Sequence, residues 1–123
     1  MFVVAVVLSL ILAVVSLAAG IPKVRLRGSA PQALQEHLGV SAGLTRLIGL
    51  AEIAAAAGLV IGIFWPPLGI AAAAGLVVLH IGAVGYHARA GDYADPKARG
   101  PAMAPIVLGL VAVATIVTLA LSM

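Results

Sequence analysis

Six side chains with acid, base or anion-holding chemistry stand in or beside long apolar runs: Lys23, Arg46, Glu52, His80, His87 and Arg89. Glu52 is the sharpest case, because it interrupts the stretch Gly-Leu-Ala-Glu-Ile-Ala-Ala-Ala. A carboxylate inside a bilayer costs a few kcal/mol on insertion scales, so such a residue faces the interior of a bundle with a partner. His80 is the candidate partner. Glu52 lies 12 positions before Phe64 and His80 lies 12 positions after Leu68, on either side of a Trp-Pro-Pro turn. With the same rise per residue in both helices, the two side chains sit at nearly equal depth. A carboxylate and an imidazole in low dielectric can exchange a proton near neutral pH, which suits acid–base work, proton coupling or ligand binding. The same pair can equally be a hydrogen bond that fixes helix register.

At about 100° per residue, Gly49, Ala55, Ala56 and Leu59 share the Glu52 face, and Ala73, Leu76, Val77, Ala83, Val84 and His87 share the His80 face. These faces would wall a pocket of small residues opening toward Arg46 and His87. Lys23 and Arg46 lie at helix ends, where long side chains either snorkel to the interface or reach Glu52. Glu52, His80 and His87 lack the tight spacing of a metal-binding helix, so no metal site is expected. His37 reads as an exposed residue, the stretch 92–99 as a solvated loop, and Thr115 and Thr118 as partners for carbonyls of their own helix. With no cysteine in the chain, thiol chemistry and thiolate metal sites are excluded, and no covalently bound cofactor is expected.

The elements that must position these groups are long apolar helices. The chain is 63% hydrophobic and 9% charged, against roughly 45–50% and about 25% in a soluble domain. Four segments approach the roughly 20 residues that span a hydrocarbon core: 2–21, 44–64, 68–86 and 102–122. The first has no preceding Lys or Arg and too long an apolar stretch for a secretory signal, so it is expected to be retained. The net charge of +3 comes from seven Lys and Arg confined to two short connectors, which is a membrane topology signal and argues against a nucleic-acid partner. Connectors one and three are therefore expected in the cytoplasm, with both termini and the Trp-Pro-Pro turn outside. Trp65 suits the interfacial belt, and the prolines after it force a sharp hairpin.

In the first connector, Ser29 reads as the cap of a short interfacial helix carrying Leu34 and Leu38 on one face, with Gly39 as its stop. Small residues recur as Ala54, Gly58 and Gly62 in the second segment and as Ala71 and Gly75 in the third, predicting close backbone approach. The expected fold is all-α: one integral membrane domain over residues 1–123, an up-down four-helix bundle in the cell membrane.

Several short stretches together resemble the DoxX-like family of small four-helix membrane proteins. They are Ala19-Gly20-Ile21-Pro22-Lys23, Arg46-Leu47-Ile48-Gly49-Leu50-Ala51-Glu52, Gly58 through Gly62, and His87-Ala88-Arg89-Ala90-Gly91-Asp92. The resemblance covers nearly the whole chain and places Lys23, Arg46, Glu52, His87 and Arg89 at the family's recurrent polar positions. His80 is assigned by depth alone. The resemblance implies a membrane protein associated with redox complexes. The leading functional reading is therefore a protein that binds a quinone or lipid at the polar cluster, with a membrane redox complex or a second copy as partner beside the lipid bilayer. One alternative is a membrane enzyme for isomerisation or cyclisation of a hydrophobic substrate, with Glu52 as base and His80 or His87 as acid. Another is a small proton-coupled transporter, although known four-helix transporters of that kind carry their glutamate in the first helix.

Overall fold

The computed structural model describes all 123 residues and contains five helices and no strand. They are α1 (Phe2–Arg25), α2 (Ser29–Glu36), α3 (Ala42–Gly62), α4 (Pro66–Arg89) and α5 (Arg99–Leu121). Four of them, α1, α3, α4 and α5, are long and apolar enough to cross a membrane. They form a four-membered ring in which α1 packs on α3, α3 on α4, α4 on α5 and α5 back on α1. The expected short helix of the first connector is α2, which touches both α1 and α3.

Small side chains fill the centre of the ring and large ones cover its outside. Leu12, Ala13, Ala56, Leu59, Ala73, Leu76 and Ala112 form the buried core, whereas Val14, Val78, Ile81 and Leu110 project outward with 66–70% of their surface free. Lipid tails are as apolar as these side chains, so packing rather than water exclusion must hold such helices together. Gly62 therefore packs directly on the Gly69 backbone, and Gly58 lies against Ala72. The expected seam is corrected in part: Ala54, Ala71 and Gly75 face outward. Four-residue spacing alone does not choose a helix face, and the face of α4 turned inward is Gly69, Ala73, Leu76 and His80.

The helix ends follow from local chemistry. Pro22 lacks an N–H and marks an apparent end for α1, yet the helix runs one turn further to Arg25. Leu26 closes it in the left-handed region at φ 53°, with its N–H donating to the Lys23 carbonyl (3.3 Å) and the Arg27 N–H donating to the Pro22 carbonyl (3.1 Å). This paired reversal satisfies carbonyls that a helix end otherwise leaves open. Ser29 does not cap α2. Gly28 takes that position at φ 104°, and no side chain bonds the exposed N–H groups. Ser41 caps α3 by accepting the Leu44 N–H at 3.1 Å, which starts the helix two residues earlier than the hydropathy does. Pro66 and Pro67 occupy the first positions of α4, where a missing N–H costs nothing. Thr115 and Thr118 donate to the Val111 and Ala114 carbonyls of α5, at 2.8 and 2.9 Å.

Candidate functional site

The site is built on one helix crossing. Gly20 and Lys23 lie three residues apart on α1, and Gly49 and Glu52 lie three residues apart on α3. Because the helices run antiparallel, each glycine meets the base of the other helix's charged side chain. A methyl group placed on Gly20 would lie 3.1 Å from the Glu52 Cβ, and one on Gly49 would lie 2.8 Å from the Lys23 Cβ. Only glycine permits that approach, which sets the two charged side chains side by side. Lys23 Nζ donates to Glu52 Oε1 at 2.6 Å, with the side chains 14% and 3% exposed.

Glu52 thus pairs with Lys23, and the expected hydrogen bond to His80 is corrected. Matching residues across the hairpin fixed depth and left rotation about the helix axis free, and the glycine crossing brings α1 closer. Lys23 turns inward rather than snorkelling. His80 is buried at 6% exposure, packs with its Cβ against the place where Gly109 of α5 lacks one (3.6 Å), and lies within electrostatic reach of the Lys23 ammonium. It makes no side-chain hydrogen bond. The one fully sealed side-chain nitrogen or oxygen without a partner is Ser9 Oγ in the α1 core. The ring nitrogens of His80 and the second oxygen of Glu52 have no hydrogen-bond partner within the chain.

The other predicted residues lie elsewhere. Arg46 is exposed, six residues before Glu52 and so about 120° round α3 from it. Arg89 is also exposed, nine residues after His80 and on the opposite face of α4. His87 shares the His80 face two turns further along, but its partner is Asp92. His87 Nδ1 donates to Asp92 Oδ2 at 2.6 Å, and His37 Nε2 donates to Asp92 Oδ1 at 2.7 Å.

One buried carboxylate thus holds two imidazoles, His37 from the first connector and His87 from the last turn of α4. One expectation holds and one is corrected. His37 is exposed as expected, with its ring also engaged by Asp92, whereas the solvated-loop reading of 92–99 fails at its start, where Asp92 is only 3% exposed. The hydrogen bonds from His87 and then His37 hold the Asp92 carboxyl below the usual aspartate range. Tyr93 sets its ring edge-on to His87 at 6.3 Å and donates its hydroxyl to the Ala102 carbonyl at 2.8 Å. Burial, and then the Asp92 charge, raise the Tyr93 hydroxyl above its ordinary pKa. Asp92 is the buried, doubly bonded carboxylate that the charge pattern missed. The signal for it is Gly91, whose φ of 77° turns the chain back over the end of α4.

No group of three or more His, Cys, Asp or Glu is arranged to hold a metal ion. A cavity of about 190 Å³ lies at the hairpin end, among Phe2, Ala5, Ile63, Phe64 and Leu119. An open, wholly apolar groove of about 480 Å³ runs between α1 and α3, past Leu10, Val14, Leu17, Ile53 and Val60. Neither includes Glu52, Lys23 or His80. The groove stops at the Gly20–Gly49 contact.

No curated protein and no solved structure matches the chain significantly. The sequence pattern of the DoxX-like family matches residues 7–115, a span that includes the glycine crossing, the Lys23–Glu52 pair and both histidines of α4. The chain belongs to the DoxX-like family and is a multi-pass integral membrane protein.

Proposed function

We propose that this protein binds the polar head of a small amphipathic molecule, a quinone or a lipid, at Lys23, Glu52 and His80. The carrying observation is hydrogen-bonding capacity that the chain leaves unused: a Lys23–Glu52 ion pair with one free carboxylate oxygen and, on the neighbouring α4, a buried histidine that bonds nothing. Buried polar groups that serve only the fold are normally fully paired. A quinone carbonyl or a lipid hydroxyl would accept from Lys23 or His80 and donate, where it can, to Glu52. In this reading Arg46 and Arg89 contact headgroups at the bilayer surface and do not touch the ligand. The connector end, with all seven Lys and Arg, faces the cytoplasm, and both termini face outward. Association with a membrane redox complex or with a second copy belongs to the same proposal.

Extraction of the protein in mild detergent, followed by mass spectrometry of the organic extract, tests the reading. A stoichiometric quinone or lipid is expected with the wild type and is lost from Glu52→Gln at unchanged helicity. A wild type that carries no bound molecule, or a variant that retains the same load, contradicts it.

A further inference from the structure

The His37–Asp92–His87 cluster lies outside the Lys23–Glu52–His80 site, yet it decides how the connector end of the bundle is closed. α2 is eight residues long, too short to persist as a helix on its own. It is flanked by Gly28 at φ 104° and Gly39 at φ 72°, both with open space where a side chain would stand. Such positions are natural hinges. Its apolar anchors are Pro31 and, just beyond, Val40. The one side-chain hydrogen bond from residues 26–40 to a residue beyond that segment is His37 to Asp92. Asp92 is in turn held by His87, which sits two turns from His80 on the same face of α4. From the groove between α1 and α3, passage to the site is blocked by backbone contact at Gly20 and Gly49, where a methyl group would lie 2.6–2.7 Å from the opposing carbonyl oxygen. At the connector end, α2 packs on both α1 and α3, the two helices that carry Lys23 and Glu52.

We propose that α2 is a hinged flap, latched by His37 on Asp92, that controls aqueous access to the Lys23–Glu52–His80 site. This assignment of a gate rests on the binding reading given above, since a flap over a site without a ligand would regulate nothing. The latch lets the headgroup side of the site open without disturbing the glycine crossing that forms the ion pair. His87 is a positioning residue here: it fixes the carboxylate that receives His37.

Because the chain has no cysteine, a single engineered thiol reports access without background. Ala83 lies half-buried between His80 and His87 on α4, so Ala83→Cys in lipid nanodiscs can be labelled with a charged, water-soluble maleimide. Adding His37→Ala is expected to speed labelling about tenfold, the effect of losing one hydrogen bond to a charged group. Asp92→Asn should act in the same direction. Val78→Cys, which faces lipid, serves as the control and should label at the same rate in both backgrounds.

Hydrogen exchange of residues 29–40 is a second readout that needs no added thiol, and it should quicken in His37→Ala while α3 and α4 stay protected. Unchanged labelling and unchanged exchange in folded His37→Ala protein overturn the proposal. Neither measurement uses a ligand. A protein that opens as expected but carries no quinone or lipid would therefore sink the binding reading and leave the hinge and its His37–Asp92 latch standing without a ligand to admit.

Discussion

Replacing Gly49 by alanine puts a methyl group 2.6 Å from the Gly20 carbonyl oxygen, 2.8 Å from the Lys23 Cβ and 2.9 Å from the Val24 nitrogen. All three neighbours are backbone or Cβ atoms, so no flexible side chain can swing aside. Restoring ordinary contact distances requires α1 and α3 to separate by roughly 1 Å. Moved apart by that amount, Lys23 Nζ and Glu52 Oε1, now at 2.6 Å, pass beyond the range of a charge-assisted hydrogen bond. Overpacking alone costs about 1–3 kcal/mol, and weakening a hydrogen bond between charged groups adds about 1.5–3 kcal/mol. The long lysine side chain recovers part of the second loss, so we expect a net destabilisation of about 2–4 kcal/mol. The assay is reversible unfolding in mixed micelles by titration with a denaturing detergent. Gly75→Ala is the control, since nothing lies within 4 Å of its added methyl and helix propensity alone should stabilise it by about 0.5–1 kcal/mol. Equal stabilities of Gly49→Ala and Gly75→Ala would refute the claim that this crossing builds the site.

A double-mutant cycle on Lys23→Met and Glu52→Gln should show strong coupling. Removing Lys23 alone leaves a buried carboxylate without its partner, at a cost of about 3–5 kcal/mol, and the double variant should lose less than the sum of the singles; additive losses would dissolve the pair. Asp92 supplies a pH dependence. Its folded pKa is depressed, so its contribution to stability is full above the ordinary aspartate pKa of about 3.9 and is lost as the pH falls through the lower folded value. Asp92→Asn should therefore be less stable than the wild type above that range, and the two should converge as the pH falls through it; an identical acid slope in the variant counts against the cluster. Trp65 is the single tryptophan, so its emission should be quenched by lipids brominated near the headgroup and much less by lipids brominated near the chain end; the reverse order would move the hairpin out of the interface.

Element type was legible from hydropathy alone, because runs of about 20 apolar residues admit few alternatives. The ends were less so. Pro22 is a strong stop signal, but the Lys23–Glu52 bond and the glycine contact, both tertiary, carry α1 a turn past it. At the site, Glu52 announced itself by its burial cost, and its height in the bundle followed from counting to the hairpin. Its partner did not follow, because counting to the hairpin relates only α3 and α4, while the decisive neighbour is α1. The matching glycine-to-charge spacings, Gly20 to Lys23 and Gly49 to Glu52, were present in the sequence and encode that crossing. Asp92 was hidden for another reason: a carboxylate among Asp95, Lys97 and Arg99 has the composition of a solvated loop, and only the backbone reversal at Gly91 turns it inward.

In the proposed function, an amphipathic headgroup sits against Lys23, Glu52 and His80. Photo-crosslinking in vesicles, with a quinone and a phospholipid that each carry a photoactivatable group at the polar end, tests this most directly. One of the two probes is expected to mark peptides around residues 20–24, 49–53 and 76–80, and Glu52→Gln to abolish the mark. Labelling by both probes spread evenly over the outward faces of the helices, unchanged by Glu52→Gln, would contradict it.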